Sequence, residues 1–319
     1  MHPLLAACSI FLLAACDRFD RAPKTPFDGV QALAYIEAQL AFGPRVPGTP
    51  GHVRTGDWIT AQMRERADTV IEQRWTHTTT DGVALPMRNI LARYNPDAPQ
   101  RVLYVAHWDT RPRADSDRNL GNQQLPIPGA NDGGSGVALL IALGDQLKAL
   151  PPTVGVDLLF VDGEDYGDFN DPELRDVLIG ARHFAANLPS PGYRPMFGVV
   201  WDMIGDANLE LLQEGYSLQA APEVVARVWD TAAQLGYGKY FVKQPGTAIT
   251  DDHLPLINAG LRVIDVIDIC YAAPQRGCPP NAPAAGTNYH HTMQDTIDKV
   301  SAASLKIVGD VALKLIRDL

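Results

Sequence analysis

Acidic and histidine residues recur in this sequence where predicted strands end. Five segments share this position: 107–109 (HWD), 129–136 (GANDGGSG, before a predicted helix), 162–165 (DGED), Asp202 and 289–292 (YHHT). In open α/β sheets the ligand crevice lies outside the carboxyl ends of the strands. The positions therefore predict that these side chains meet in one crevice.

Imidazole and carboxylate groups are the ligands that this crevice would offer a metal ion. Zinc takes both in tetrahedral geometry, and catalytic zinc sites keep three protein ligands and one open position. Adjacent Glu164 and Asp165 suit such a site, because one carboxylate binds the metal while the other moves protons beside it. Each segment alone is equally compatible with a turn, a helix cap or solvated charge, so the zinc prediction depends on their shared position.

The segments that must position these residues alternate between strand and helix. Strands are predicted at 69–75, 87–94, 102–106, 154–161, 196–201 and 261–267. Helices are predicted at 28–42, 134–150, 174–187, 222–235 and 301–318. This alternation predicts an α/β fold, with a single-domain mixed, mostly parallel sheet and helices on both faces. We assign residues 27–319 to this catalytic domain.

Composition excludes one class of partner. Among 319 residues, 27 are Lys or Arg and 37 are Asp or Glu, which gives a net charge of −10. A nucleic-acid-binding face normally shows a basic excess, so we expect no nucleic-acid partner. The acidic residues comprise 29 Asp and 8 Glu, an excess that turns, helix caps and metal sites all favour.

The N-terminus predicts export and a lipid anchor. Residues 4–15 carry no charge and are too short to span a bilayer, as in a signal peptide. The following Leu13-Ala14-Ala15-Cys16 resembles the lipobox of bacterial lipoproteins, in which the cysteine is acylated after cleavage. We therefore expect a signal peptide at 1–15, a tether at 16–26, and a lipid-anchored protein of the bacterial cell envelope that faces the periplasm.

Two cysteines remain after this processing. Cys270 and Cys278 enclose a short loop rich in Pro and Gly. An oxidising periplasm favours a disulfide between them. A zinc pair is the alternative, but no second Cys or His pair lies at zinc-finger spacing.

The order of the chemical segments resembles that of the zinc-dependent aminopeptidases and the related glutaminyl cyclases. His-x-Asp, the Asp132 segment, an acidic pair, Asp and His-Thr follow in the same order from Arg101 to the C-terminus. Finer features are similar to a bacterial glutaminyl cyclase: 47–51 (PGTPG), 89–92 (NILA), 180–185 (GARHFA), 251–255 (DDHLP) and 291–293 (HTM). This resemblance implies cyclisation of the N-terminal Gln of peptides to pyroglutamate, with release of ammonia.

The resemblance also implies roles for individual residues. In the cyclases, one zinc is held by the positions that match Asp132, Asp165 and His291. The proton-handling positions match Glu164, Asp202 and Asp251. In the aminopeptidases, Asp132 bridges two metals, a second metal is held with His107 and Asp202, and Glu164 is the general base. Peptides with a free N-terminus are the substrates in both cases.

Three functions therefore stay open at this point: a one-zinc cyclase, a two-zinc aminopeptidase, and a surface binding lipoprotein without catalysis. The cyclases have Trp before the zinc His, where this chain has His290. They also have a pocket Trp shortly after the acidic pair, for which Tyr166 and Phe169 are the candidate substitutes. We expect Asp109 to orient His107.

Other residues have simpler interpretations. His183 and His253 are expected to be structural or to lie behind the ligands. The loop 111–128, which carries several Arg and Asp residues, either covers the site or is a solvated charged loop.

Overall fold

The computed structural model describes residues 27–269 and 288–319. Its strands are β1 (Thr69–Thr78), β2 (Ala84–Tyr94), β3 (Arg101–His107), β4 (Gly155–Val161), β5 (Phe197–Asp202), β6 (Leu211–Gln213), β7 (Phe241–Pro245) and β8 (Val263–Ile267). Its helices are α1 (Gly29–Leu40), α2 (Pro50–Arg64), α3 (Gly134–Ala149), α4 (Ile179–Ala186), α5 (Gly215–Ala220), α6 (Pro222–Gln234), α7 (His253–Asn258) and α8 (Ala302–Arg317). The predicted signal peptide, tether and Cys270–Cys278 pair lie outside the described residues.

The main sheet has six strands in the order β1-β2-β4-β3-β5-β8. Strands β4, β3, β5 and β8 are parallel, and β1 and β2 continue the sheet as antiparallel strands. This confirms the predicted mixed, mostly parallel sheet. His107 pairs with Val161, and Asp202 pairs with Ile267, at the carboxyl ends of their ladders. The chemical residues that follow these strands therefore start from one edge of the sheet.

Side chains of the central strands alternate between two apolar cores. Tyr104 and Ala106 of β3 belong to the larger core, which includes residues of α1, α3, α6 and α8. Leu103 and Val105 face the smaller core, which α4 and α7 cover. This alternation is the two-residue period of a strand buried on both faces. The helices therefore cover both faces of the sheet, as predicted.

Helix α3 packs unusually close to the sheet just after the Asp132 segment. A Cβ atom added to Gly136 would lie 2.3 Å from the Trp201 carbonyl oxygen and 2.9 Å from Ala106 Cβ. Only glycine permits this approach. The helix start, and with it Asp132, is consequently held against the ends of β3 and β5.

The prediction of a helix over 174–187 is wrong at its beginning. Helix α4 begins at Ile179, because Leu174 and Leu178 adopt left-handed backbone angles, with φ of 48° and 54°. Residues 165–178 instead form a loop beside the strand ends. The sequence also gave no signal for the short elements β6, β7, α5 and α7. Within residues 27–269 and 288–319, no helix has both the length and the apolar character needed to cross a bilayer.

Candidate active site

The turn at 129–133 places Asp132 at the end of β3. Gly133 has a φ of 67°, and a Cβ atom there would lie 2.9 Å from the Asp109 carbonyl oxygen and 3.0 Å from the His107 ring. Only glycine satisfies both conditions. The backbone N–H groups of Asn131 and Asp132 donate to the buried Asp295 carboxylate, at 2.8 and 3.1 Å. The turn is thus fixed by the close packing of Gly133 on one side and by the Asp295 carboxylate on the other.

Each oxygen of the Asp132 carboxylate faces a different group of donor atoms. Oδ1 lies 3.1 Å from His107 Nε2, which is itself 3.2 Å from Asp202 Oδ1. Oδ2 lies 3.6 Å from His291 Nε2, which is 3.3 Å from Asp165 Oδ1. Neighbouring ligands of one tetrahedral zinc are roughly 3.3 Å apart at the usual bond lengths. His107, Asp132 and Asp202 form one group of donor atoms that all lie within 4.8 Å of one another, and Asp132, His290 and His291 form a second. Asp165 adjoins the second group through His291, and Asp132 is shared between the two.

Several donor atoms of this cluster lack a hydrogen-bond partner. Asp132 Oδ2, Asp165 Oδ2 and His107 Nδ1 are buried and unpartnered. Burying carboxylate oxygens in this way is costly, and a bound cation would satisfy them. Imidazole and carboxylate are also the donor types that zinc prefers. The unpartnered buried oxygens and the types of donor atom therefore both fit a zinc ion.

His107 is buried among carboxylates. Burial alone would lower its pKa, but the negative charge of Asp202 and contacts with the carboxylates of Asp109, Asp132 and Asp202 raise the pKa well above its ordinary value. At Asp132, the hydrogen bond and charge of His107, followed by the charge of His291, outweigh burial and lower the pKa of that carboxyl. A histidine ligand must be neutral, so metal binding at His107 would release a proton.

Asp109 organises the acidic pair, a role that goes beyond its expected contact with His107. Its carboxylate accepts the backbone N–H groups of Glu164 and Asp165, at 3.0 and 3.2 Å. Its Oδ1 also lies 3.5 Å from His107 Nδ1. One fully buried carboxylate therefore orients a candidate base and two candidate ligands.

Glu164 lines the cleft with 7% of its surface exposed. Burial raises its pKa well above the ordinary value, the negative charges of Asp165, Asp251 and Asp252 act in the same direction, and His107 acts against them. A carboxyl group with a raised pKa exchanges protons more readily near neutral pH. Its position in the cleft and the direction of its pKa shift both suit a group that moves protons.

The other two predicted catalytic residues, Asp202 and Asp251, line the same cleft. Burial raises the pKa of Asp202 to about 7, although His107 opposes this effect. Behind Asp251, both carboxyl oxygens of Asp252 are buried without a partner. Burial and the Asp251 charge raise the pKa of Asp252 well above its usual range. Asp252 therefore lies behind the cleft residues as a buried carboxyl group whose ionisation is disfavoured.

The cleft has a volume of about 570 Å³. Phe169 lines it, whereas Tyr166 packs beside Leu85, Met87 and Ile179, so of the two candidate substitutes only Phe169 faces the cleft.

The ring of His290 also lines the cleft and stacks on His291, with centroids 3.6 Å apart. Burial lowers the pKa of His290 to about 3, so it presents a neutral ring. The cleft is lined by Asp132, Glu164, Phe169, Asn170, Asp202, Met203, Thr247, Ala248, Ile249, Thr250, Asp251, Ile267, Ile269, His290 and His291.

Sequence reasoning missed the role of Arg45. This fully buried guanidinium donates to the carbonyl oxygens of Trp108, Pro128, Gly129 and Asp132 at 2.7–3.2 Å. It joins the end of β3 to the Asp132 turn, and its charge lies among buried carboxylates. The only sequence signal for Arg45 was its position just before the 47–51 turn. No pattern of neighbouring residues predicts that its side chain contacts the distant Asp132 turn.

His183 and His253 lie away from the donor cluster, in agreement with their simpler interpretation. The His183 ring stacks on Trp75, with centroids 3.8 Å apart. His253 is fully buried, and its Nε2 lies 3.3 Å from Glu214 Oε2. Neither belongs to a group of candidate metal donors within the described residues.

Comparisons with known proteins relate this chain to zinc-dependent enzymes and their families. A model of peptidase family M28 matches residues 89–316. The crystal structure of Porphyromonas gingivalis glutaminyl cyclase is 36% identical, covers 92% of this chain and 98% of its own, and has a TM-score of 0.84. The crystal structure of a Zn-dependent exopeptidase from Parabacteroides distasonis is 35% identical, covers 92% and 99%, and also has a TM-score of 0.84.

A more distant curated relative is aminopeptidase YwaD of Bacillus subtilis. It is 20% identical over an alignment of 313 positions, which covers 92% of this chain and 58% of that protein. This chain thus spans less than two thirds of that relative's length. Together these comparisons confirm the resemblance to the glutaminyl cyclases and their aminopeptidase relatives.

Proposed function

Since this chain belongs to peptidase family M28, we propose that it is a zinc-dependent glutaminyl-peptide cyclotransferase. The observation that supports the cyclase reaction best is the similarity to solved bacterial glutaminyl cyclases, at 36% identity over 92% of the chain. Zinc is the cofactor, held by Asp132, Asp165 and His291. The substrate is a peptide whose N-terminal residue is Gln.

The reaction joins the α-nitrogen of the substrate to its own side chain. The α-amine attacks the γ-amide carbon, the bond from that carbon to the amide nitrogen breaks, and ammonia leaves. Bound zinc supplies a Lewis acid for the amide carbonyl. Since the nucleophile is already part of the substrate, no activated water is required.

The protein residues move and hold protons. Glu164 accepts a proton from the attacking amine and returns it to the departing nitrogen, so the carboxylate is regenerated in each cycle. Asp202 and Asp251, on the same cleft, accept hydrogen bonds from the N–H groups of the tetrahedral intermediate. The neutral His290 and the ring of Phe169 form walls beside the substrate.

Peptide assays test this function. We expect the purified protein to convert Gln-Xaa peptides into products lighter by one ammonia, and to leave Leu-Xaa peptides intact, as read by mass spectrometry. Release of free Leu would show aminopeptidase action instead. A zinc-loaded protein inactive on both peptides would support the binding lipoprotein.

Aminopeptidase action is the second candidate, and one observation favours it. His107, Asp132 and Asp202 bring three donor atoms within 4.8 Å of one another, which is a complete second donor set. Two metals would then activate water, with Glu164 as its base. Two zinc ions per chain in the active protein, rather than one, would decide for this function.

We also propose that the protein is a lipid-anchored lipoprotein of the bacterial envelope that faces the periplasm. The support is the Leu13–Cys16 motif after an uncharged segment, and the Cys270–Cys278 pair expected to form a disulfide. Peptide mass spectrometry of protein from membranes should find an acylated Cys16 at the mature N-terminus and a linked Cys270–Cys278 peptide. An unmodified Cys16 in a longer chain would contradict the anchor.

A further inference from the structure

The beginning of loop 111–128 contacts the turn that carries His291. The backbone N–H of Ser116 donates to the His291 carbonyl oxygen at 3.2 Å. Asp117 Oδ2 accepts the backbone N–H of Met293 at 3.0 Å. His291 has a φ of 55°, a left-handed conformation that a non-glycine residue adopts only where its surroundings hold it. The loop is therefore part of what holds this candidate ligand.

The same loop reaches Asp165 through Arg111. Arg111 Nη1 donates to Asp165 Oδ1 at 2.8 Å, and to the carbonyl oxygens of Asp165 and Gly167 at 3.2 and 3.1 Å. Its Nε and Nη2 donate to the two carboxylate oxygens of Asp115, at 2.9 and 2.6 Å. The guanidinium thus binds a candidate zinc ligand on one side and Asp115 on the other.

Asp115 lies between Arg111 and His291. Besides its paired bonds to Arg111, its Oδ1 lies 3.9 Å from His291 Nδ1. Its side chain is 39% exposed, so it contributes little to the packing of the core. An acidic side chain that is partly exposed to solvent, yet lies near one candidate ligand and binds the arginine that contacts another, points to a role in the site rather than in folding.

We propose that Asp115 is a positioning residue for zinc, which acts on His291 through its charge and on Asp165 through Arg111. The inference rests on the zinc set of the proposed function, but not on which of the two reactions occurs. Two effects act in the same direction. Asp115 balances the positive charge of Arg111, which would otherwise repel a cation at Asp165. It also supplies a carboxylate beside the outer nitrogen of a histidine ligand, which makes that ligand more basic.

Zinc titration of Asp115→Asn tests the inference. Removal of a partner behind the metal ligands typically weakens metal binding about 10–100-fold, and we expect a loss of that size. The measurement is the zinc dissociation constant, from competition with a chelating indicator, together with the melting temperature of the metal-free protein. Because Asp115 is partly exposed, the variant should fold and its metal-free melting temperature should change little.

Asp168→Asn is the matched control. Asp168 is an exposed aspartate of the neighbouring loop whose carboxylate accepts hydrogen bonds from Asn170. It removes the same charge without touching a ligand, and zinc binding should stay within about twofold of wild type, far from the expected loss. Equal zinc affinity in Asp115→Asn and wild type would overturn the inference. A protein that binds zinc tightly, loses affinity in Asp115→Asn, yet cyclises no peptide would uphold it and overturn the proposed function.

Discussion

Replacing Glu164 by Gln should lower kcat for Gln-peptide cyclisation by about 10²–10⁴-fold, the usual contribution of a general base. The amide keeps the size of the side chain but accepts no proton from the attacking amine. The backbone of Glu164 is fixed by Asp109, and this contact does not involve the changed group. Asp165, the neighbouring ligand, also keeps its contacts with Asp109 and Arg111.

Zinc content and a matched variant separate this chemical effect from a structural one. The Glu164→Gln protein should hold as much zinc as wild type. Glu173→Gln makes the same chemical change in the same loop, at a side chain that is 71% exposed, and should retain full activity. Undiminished turnover in Glu164→Gln would remove Glu164 from the mechanism.

Replacing Asp132 by Asn should have the second large effect, because its carboxylate faces both groups of donor atoms. An amide is a weaker zinc ligand than a carboxylate. It also removes the negative charge that lies 3.1 Å from the buried His107 ring. We expect zinc affinity to fall by more than about 100-fold, beyond the range typical of residues behind the ligands. Cyclisation should be lost at ordinary zinc concentrations. Competition with a chelator measures the affinity, and peptide mass spectrometry measures the activity.

The outcome at higher zinc concentration gives more information. If excess zinc restores part of the activity of Asp132→Asn, the residue acts through the metal, as proposed. If the variant binds zinc as tightly as wild type, Asp132 is not a ligand and the donor set must be reassigned. Circular dichroism should show an unchanged fold, because the backbone of residue 132 is held by Asp295 and Arg45.

Strand ends allow much of the site to be predicted from the amino-acid sequence. A buried parallel strand has a clear apolar run, and its end is marked by the first polar residue, so His107, Glu164 and Asp202 could be assigned to one edge of the sheet. The structure does bring these residues together, with Glu164, Asp202 and Asp132 all around His107. Their chemical roles stay predictions that the variants above test.

Other features had no local signal. The helix predicted from Leu174 begins only at Ile179, since its apolar spacing could not reveal the left-handed angles at Leu174 and Leu178. Arg45 and Asp295 lie far from the strand ends in the sequence, yet they fix the Asp132 turn in space. Periodicity and spacing describe neighbours along the chain, whereas these contacts join distant segments.

The sequence by itself determined the fold class, the edge of the sheet that carries the chemistry, and the residue types that fit zinc. These follow from short-range patterns: apolar runs, turn residues and the order of polar residues after strands. The resemblance implied a bridging role for Asp132, but only the tertiary structure placed its two carboxylate oxygens against separate groups of donor atoms. The tertiary structure also decided that loop 111–128 lies against His291 and Asp165. Both results depend on distances between segments more than 50 residues apart, which only the packed chain fixes.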